Sequence, residues 1–275
     1  MAMLSTRFTS NTFGIVRDTP LDNSQLFSIA PSIFADGKHS SRSDRYSYIP
    51  TIDIVEGMRQ NGLFPFMAVQ SRSRVPGKSE YTKHMLRFRP DNKISAPEAY
   101  EVILINSHDG TSSYQLMAGV FRFVCQNGMV CGDVVDDFRV HHKGDITNDV
   151  IDAAFRIIDE KDCVANSIDT MKSVTLLPDE QRVFANAALA LRYDDPPIDP
   201  MQILATRRYA DRDGISSLWG TFNRVQEHLT KGGLEGRTSA GKRTVTRSIR
   251  SIDNNVGLNR SLWMLAEGMA ALKNA

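Results

Sequence analysis

Between Phe66 and Gln126 the sequence reads as short stretches with a period of two or apolar on both faces, and Pro76-Gly77, Asp109-Gly110 and Asn127-Gly128 interrupt or end them. No other feature narrows the fold as much. A period of two sends successive side chains to opposite faces of a sheet, and short Gly-containing turns join antiparallel neighbours. The pattern predicts strands at 66–75, 81–89, 100–106 and 113–126, with a short fifth at 138–142. The stretch Tyr100 to Asn106 is apolar on both faces, which suits a central strand.

Helical spacing takes over on either side. Ile52, Val55 and Met58 predict a helix over 51–61, stopped by Asn61-Gly62. After the meander, Val150, Ala153, Ala154, Ile157, Ile158 and Val164 line one helix over 149–167. Pro178, with Asp179 and Glu180 behind it, opens another that runs to Leu191. Two more are expected over 215–230 and 254–273, the last with a stripe of Leu262, Leu265, Met269 and Leu272 that packs on the domain or on a second protomer. The expected class is α+β: an antiparallel β meander of four to five strands, helices packed on one side, then a helical C-terminal region. The expected layout is an irregular arm over 1–47, an α+β core over 48–193, and a helical region over 194–275 carrying a basic mobile loop at 231–245.

Alternation along the strands also gathers charge. Leu86 and Phe88 face one way, while Lys83, Arg87 and Arg89 face the other. Arg72 and Arg74 share a face of the preceding strand, and Arg122 points away from Phe121 and Phe123. Side by side, these strands would collect Arg72, Arg74, Lys83, Arg87, Arg89 and Arg122 on one face. Like charges opposite each other destabilise a sheet unless an anion offsets them, and a phosphodiester backbone is such an anion. The plainer reading is a solvated hairpin whose charges deter aggregation. Lys242, Arg243, Arg247 and Arg250 form a second basic group, either closing over a bound strand or lining a solvated loop. Tyr46, Tyr48 and Tyr81 are the candidates for stacking on bases.

The net charge of +1 names no partner, but its distribution is uneven. Between Gly37 and Pro90 ten basic residues stand against four acids, whereas acids lead from Asp133 to Asp213. Local polyanion binding is compatible with a neutral total. No run of about 18 apolar residues predicts a membrane span, and the first residues lack the apolar core of a signal peptide, so a cytoplasmic location is expected. Cys125, Cys131 and Cys163 have no framework spacing, which suits reduced thiols.

Several enzyme signatures fail on chemistry. Gly236 to Lys242 has the G-x-x-x-x-G-K spacing of a phosphate loop, but Arg243 replaces the magnesium-binding hydroxyl and the preceding segment reads as helix. Cys125, Cys131, His141 and His142 lack a zinc spacing. His108-Asp109-Gly110 is explained by a turn, and His84 by the edge of a core. Asp133, Asp136, Asp137 and His141 could hold magnesium in a nuclease, without a specific spacing. No catalytic residue, metal or cofactor is expected.

A longer set of residues carries a resemblance. It comprises Pro31 to Ala35 with Lys38-His39, Tyr48 to Asp53, Pro65-Phe66 with Gln70 to Arg72, Tyr81 to Arg87, Ser107 to Gly110, Phe121-Arg122, Cys125 to Gly128, Thr246 to Asp253, Leu258 to Arg260 and Leu262-Trp263. These resemble the phage/plasmid-like proteins grouped as domain-of-unknown-function family 932. The resemblance spans nearly the whole chain and implies a setting on mobile DNA, but lends no catalytic residues. The order helix, meander, long helix is similar, more loosely, to Rad52-like single-strand annealing proteins, which hold single-stranded DNA in a basic groove.

The expected function is therefore a non-enzymatic, single-stranded-DNA-binding protein of a phage, prophage or plasmid, self-associating and acting in recombination or replication, with strand annealing as its sharper form. One alternative is a counter-defence protein whose acidic middle binds and inhibits a host nuclease or DNA-recognition complex. Another is a metal-dependent nuclease. The partners expected besides single-stranded DNA are a second copy and a host defence or recombination protein.

Overall fold

The computed structural model describes residues 12–42, 48–90, 98–122, 127–131, 146–207 and 214–275. They belong to two compact units. The first comprises Met1–Phe121, Val135–Glu160 and Arg250–Ile252, and the second Arg122–Val134, Lys161–Ile249 and Asp253–Ala275.

In the first unit β1 (Thr12–Val16), β2 (Leu63–Ser71), β3 (His84–Pro90), β4 (Glu98–Asn106) and β5 (Gln115–Arg122) lie side by side in chain order. The first four pair antiparallel, in a register that sets Phe13 opposite Gln70, Ala68 opposite Leu86, and Leu86 opposite Leu104. The α+β meander is the architecture that the period of two demanded. Its edge strand β1 comes from the segment expected to be irregular. The expected strand at 138–142 lies outside the described residues.

Helices α1 (Asn23–Ile29) and α2 (Thr51–Gln60) pack on β2, and α3 (Ile146–Asp159) packs on β4 and α2. Helix α2 buries Ile54, Val55 and Met58. Each such side chain contributes about 1.5–3 kcal/mol on leaving water. The single helix expected over 149–167 is two, α3 and α4 (Lys161–Ser173), because its apolar positions serve two cores. Val150, Ala154 and Ile157 are buried on α3, while Val164, Ile168 and Met171 are buried on α4.

Strand β3 is buried on both faces from His84 to Arg89. Arg87 and Arg89 do share a face, as alternation required, but it is not a wet one. Arg87 Nη1 lies 2.7 Å from Glu101 Oε2, and Arg89 Nε lies 2.6 Å from Glu101 Oε1. None of the three is more than 2% exposed. The Arg89 guanidinium also stands 4.2 Å from the centre of the Phe121 ring and 5.0 Å from that of Phe66. Removing one partner of a buried ion pair leaves a desolvated charge behind. Glu101→Ala is expected to lower the free energy of unfolding by about 3–5 kcal/mol, read by urea denaturation, with Glu101→Gln in between.

In the second unit α7 (Leu218–Lys231) is packed by α4, α5 (Pro178–Ala190) and α6 (Pro200–Leu204). Trp219 stacks on Phe222 at 5.5 Å, and Trp263 of α8 (Ile252–Asn274) meets both edge-on at 6.3 and 6.0 Å. Helix α7 is buried around its whole circumference, polar residues included. Its polar side chains are accordingly paired. Arg224 donates to Ile215 O and Gln181 Oε1, and Gln226 donates to Asn259 Oδ1. The unit also holds β6 (Asn127–Val130).

The basic segment expected to be a mobile loop is an ordered antiparallel ribbon of β7 (Glu235–Arg237) and β8 (Arg243–Val245). Its base is pinned. Arg237 N donates to Pro197 O at 2.8 Å, Gln202 Nε2 donates to Glu235 O at 3.0 Å, and Leu234 N donates to the hydroxyl of buried Thr246 at 2.9 Å. Glycine is required at 236, since a Cβ there would lie 1.9 Å from Pro197 O and 2.8 Å from Ile198 Cγ2. Gly236→Ala should push the ribbon off this seat. Trypsin should then cut after Arg237, Lys242 or Arg243 about tenfold faster than in the wild type, tracking local opening; an unchanged rate would mean that the close approach does not hold the ribbon.

Candidate nucleic-acid interface

Strand β2 ends at Ser71 and not at Val75. The Ser71 amide donates to Lys83 O at 2.8 Å and its carbonyl accepts from Thr82 Oγ1 at 2.7 Å, which closes the hairpin early. Arg72 and Arg74 are therefore exposed on the loop that follows and not on the strand face. Lys83 is buried just before β3, and Arg122 is half-buried at the end of β5. With Arg87 and Arg89 in the core, the sheet face of six cations does not exist as an exposed surface. Alternation told which residues share a face, but not what covers it.

The ribbon keeps its cations in water. Arg237, Lys242, Arg243 and Arg247 are all exposed. Arg237 stands directly across the ladder from Arg243, and its Nη1 donates to Gly241 O at 3.0 Å. Thr238 N donates to Lys242 O at 2.9 Å and Gly241 N to Thr238 O at 2.8 Å, so a tight turn with Ser239 and Ala240 at its tip closes the ribbon. Strand alternation puts Arg237 and Arg243 on one face of the ribbon and Lys242 on the other. Glu235 is the one acid on the two strands, at the base. Arg250 is exposed in the segment that leads into α8 and belongs to the other unit. Arg237 was not among the sequence candidates. Its equal distance from the turn with Arg243 becomes visible only once the segment is known to be a ladder.

The stacking candidates are already engaged. The Tyr48 hydroxyl donates to Ala35 O, and its ring lies 5.0 Å from that of His108. Tyr81 meets His39 edge-on at 5.3 Å. Both are half-buried. Tyr46 lies outside the described residues, as do Cys125, Asp133, Asp136, Asp137 and the His141-His142 pair.

On the face of β3 opposite Arg87, a polar network joins β3 to α2, β2 and β4. His84 Nδ1 lies 2.8 Å from Ser32 Oγ and 3.3 Å from Thr82 O. A carbonyl only accepts, so Nδ1 carries the proton and Nε2 accepts from Thr51 Oγ1 at 3.0 Å. Ser32 Oγ passes its own proton to Gln70 Oε1 at 2.8 Å. Thr51, at the start of α2, also accepts from Asn106 Nδ2 at 3.0 Å and lies 3.4 Å from His108 Nε2. Burial, with the charge of His108 beside it, lowers the His84 pKa to about 3. Burial lowers that of His108 to about 4. Asp109 is spent on a turn. Its Oδ1 accepts from Thr111 N and Oγ1, its Oδ2 pairs with Lys78 at 3.3 Å, and Gly110 (φ +75°) completes the bend. This cluster is neutral and inward-facing, and it fastens α2 to β3 and β4. Among the described residues no three His, Cys, Asp or Glu side chains gather around a metal position.

Both histidines fold neutral but bind protons near pH 6.5 when unfolded, so the unfolded state takes up more protons below that pH. Stability is full above about pH 6.5 and is lost as pH falls toward the folded values, by up to about 1.4 kcal/mol per pH unit for each histidine. Urea denaturation at pH 7 and pH 5 should show this loss, and His84→Gln should shrink it. Equal stability at the two pH values would contradict the burial of the pair.

Relatives add a family but no activity. Residues 38–263 match the family model described as "Domain of unknown function (DUF932)". The chain is 46% identical over 271 residues to the Escherichia coli (strain K12) protein named "UPF0380 protein YafZ", covering 98% of each chain. It is also 46% identical over 269 residues to "UPF0380 protein YfjQ" of the same organism, covering 97% of each. No solved structure matches, so the likeness in element order to annealing proteins gains nothing from known folds. Among the described residues no helix is long and apolar enough to cross a membrane. The chain belongs to the DUF932 family.

Proposed function

We propose that this DUF932 protein binds DNA without catalysing a reaction on it, in the replication or recombination of mobile DNA. One observation carries the reading: Arg237 and Arg243 face each other across an ordered, exposed ribbon with Lys242 beside them. Like charges directly opposite on a ladder cost stability, and a phosphate backbone is the ligand that turns this cost into affinity. The paired backbone favours the same reading, because a ladder already formed needs less ordering on binding. Arg247, just beyond the ribbon, supplies further exposed positive charge. The tyrosine platform that would favour single strands is weakened, since Tyr48 and Tyr81 already pack within the protein.

Fluorescence anisotropy of labelled single-stranded and duplex DNA across a salt series tests this. Affinity should fall steeply with salt, and Arg237→Ala with Arg243→Ala should weaken binding at least about tenfold and flatten the log–log slope by about 1 per lost contact. Wild-type affinity and slope in that variant would remove the ribbon from the interface. The oligonucleotide should stay intact with magnesium present; its cleavage would favour a nuclease.

A further inference from the structure

We infer that the β7–β8 ribbon is an arm that enters the major groove of B-form duplex DNA, with its cations on the two phosphate walls. This deepens the reading proposed above and rests on it. Three features of the ribbon converge.

The first is the tip. Thr238, Ser239, Ala240 and Gly241 are all small and exposed, between Arg237 on one strand and Lys242 and Arg243 on the other. A cationic patch that only touches the outside of a backbone gains nothing from a slender tip. A probe that enters a groove requires one. The second is the placement of charge. Arg237 and Arg243 pair on one face of the ribbon, and the bond from Thr238 N to Lys242 O carries the pairing one residue further, so alternation sets Lys242 on the other face and a ribbon standing edge-on in a groove directs positive charge at both walls. The third is size and stiffness. Paired strands lie about 4.8 Å apart, and a B-form major groove about 12 Å wide and about 8.5 Å deep admits a two-stranded ribbon. From the Arg237–Arg243 pair to the turn tip the chain advances two to three residues, about 7–10 Å, which brackets that depth. The bonds from Arg237 N to Pro197 O and from Gln202 to Glu235 O, with the Gly236 contact, hold the base so that the tip is presented and not folded back.

Other grooves fit worse. A B-form minor groove is about 6 Å wide, and the major groove of an RNA duplex is deep and narrow. Single strands offer no groove. Inside the major groove Ser239 and Thr238 present hydroxyls that donate to or accept from base edges, so sequence preference should be modest.

The test compares a mixed-sequence DNA duplex, an RNA duplex of the same sequence and each DNA single strand, binding to the full-length protein and to Ala240→Trp. This substitution changes no charge and lies on an exposed turn; Ser239→Trp is its companion should Ala240→Trp lose the wild-type far-ultraviolet circular dichroism. The DNA duplex is expected to bind at least about tenfold tighter than the RNA duplex and the single strands, and the tryptophan variant should lose about tenfold on duplex DNA alone. Bound protein should shield guanine N7, in the major groove, from dimethyl sulfate and leave adenine N3, in the minor groove, reactive. If the tryptophan variant binds duplex DNA like the wild type, if N7 stays reactive, or if single strands bind equally well, the groove arm is wrong while DNA binding stands. If no DNA binds at low salt, the proposed function fails, and this inference with it.

Discussion

Glu101 sits between Arg87 and Arg89 on strands that have no wet face at that point, and much of the first unit follows from it. Glu101 holds two guanidinium groups that have been taken out of water, so its loss would leave buried charge short of a partner. The pairing also fixes register. Arg87 lies opposite Ile103, and a slip of one residue between β3 and β4 would turn both arginines away from Glu101. A dry ion cluster of this kind specifies one alignment of strands more sharply than aliphatic contacts would.

The other face of β3 is held by a different polar device. His84, Thr51, Asn106 and His108 exchange hydrogen bonds at the start of α2, and Ser32 and Gln70 extend the chain toward β2. A strand that reads as Lys-His-Met-Leu-Arg-Phe-Arg thus has polar side chains with partners inside the protein on both faces. Its composition suggests a surface, while its partners make it a core. The histidines stay neutral there, and their hydrogen bonds tie α2 to β3 and β4.

Once these residues are accounted for, the ribbon still sets two exposed cations, Arg237 and Arg243, opposite each other on a ladder. It owes its order to small things: a glycine where no Cβ fits, a carbonyl at Pro197, and a buried threonine hydroxyl at 246. The charge it carries is unfavourable to the ribbon itself, and this is the cost that the proposed anion would offset. The same reasoning separates the ribbon from Arg87 and Arg89, whose counter-charge is already supplied within the fold.

The sequence by itself determined the meander. Its period of two and its turn dipeptides act locally, through backbone sterics, so β2 to β5 could be read from Leu86, Phe88, Asp109-Gly110 and the apolar run at 102–105. The helix at Thr51 and its stop at Asn61-Gly62 were equally local. Tertiary structure alone decided what lay over each face. Alternation placed Arg87 and Arg89 together, but whether they met water or Glu101 depends on packing between segments far apart in the chain, and no local pattern encodes that. The same limit hid β1 in the Ser-rich arm, the break between α3 and α4, and the pairing of Arg237 with Arg243. Each depends on a partner that only the folded chain brings near, and desolvation, which decides whether a charge is a binding group or a core group, is set by that partner.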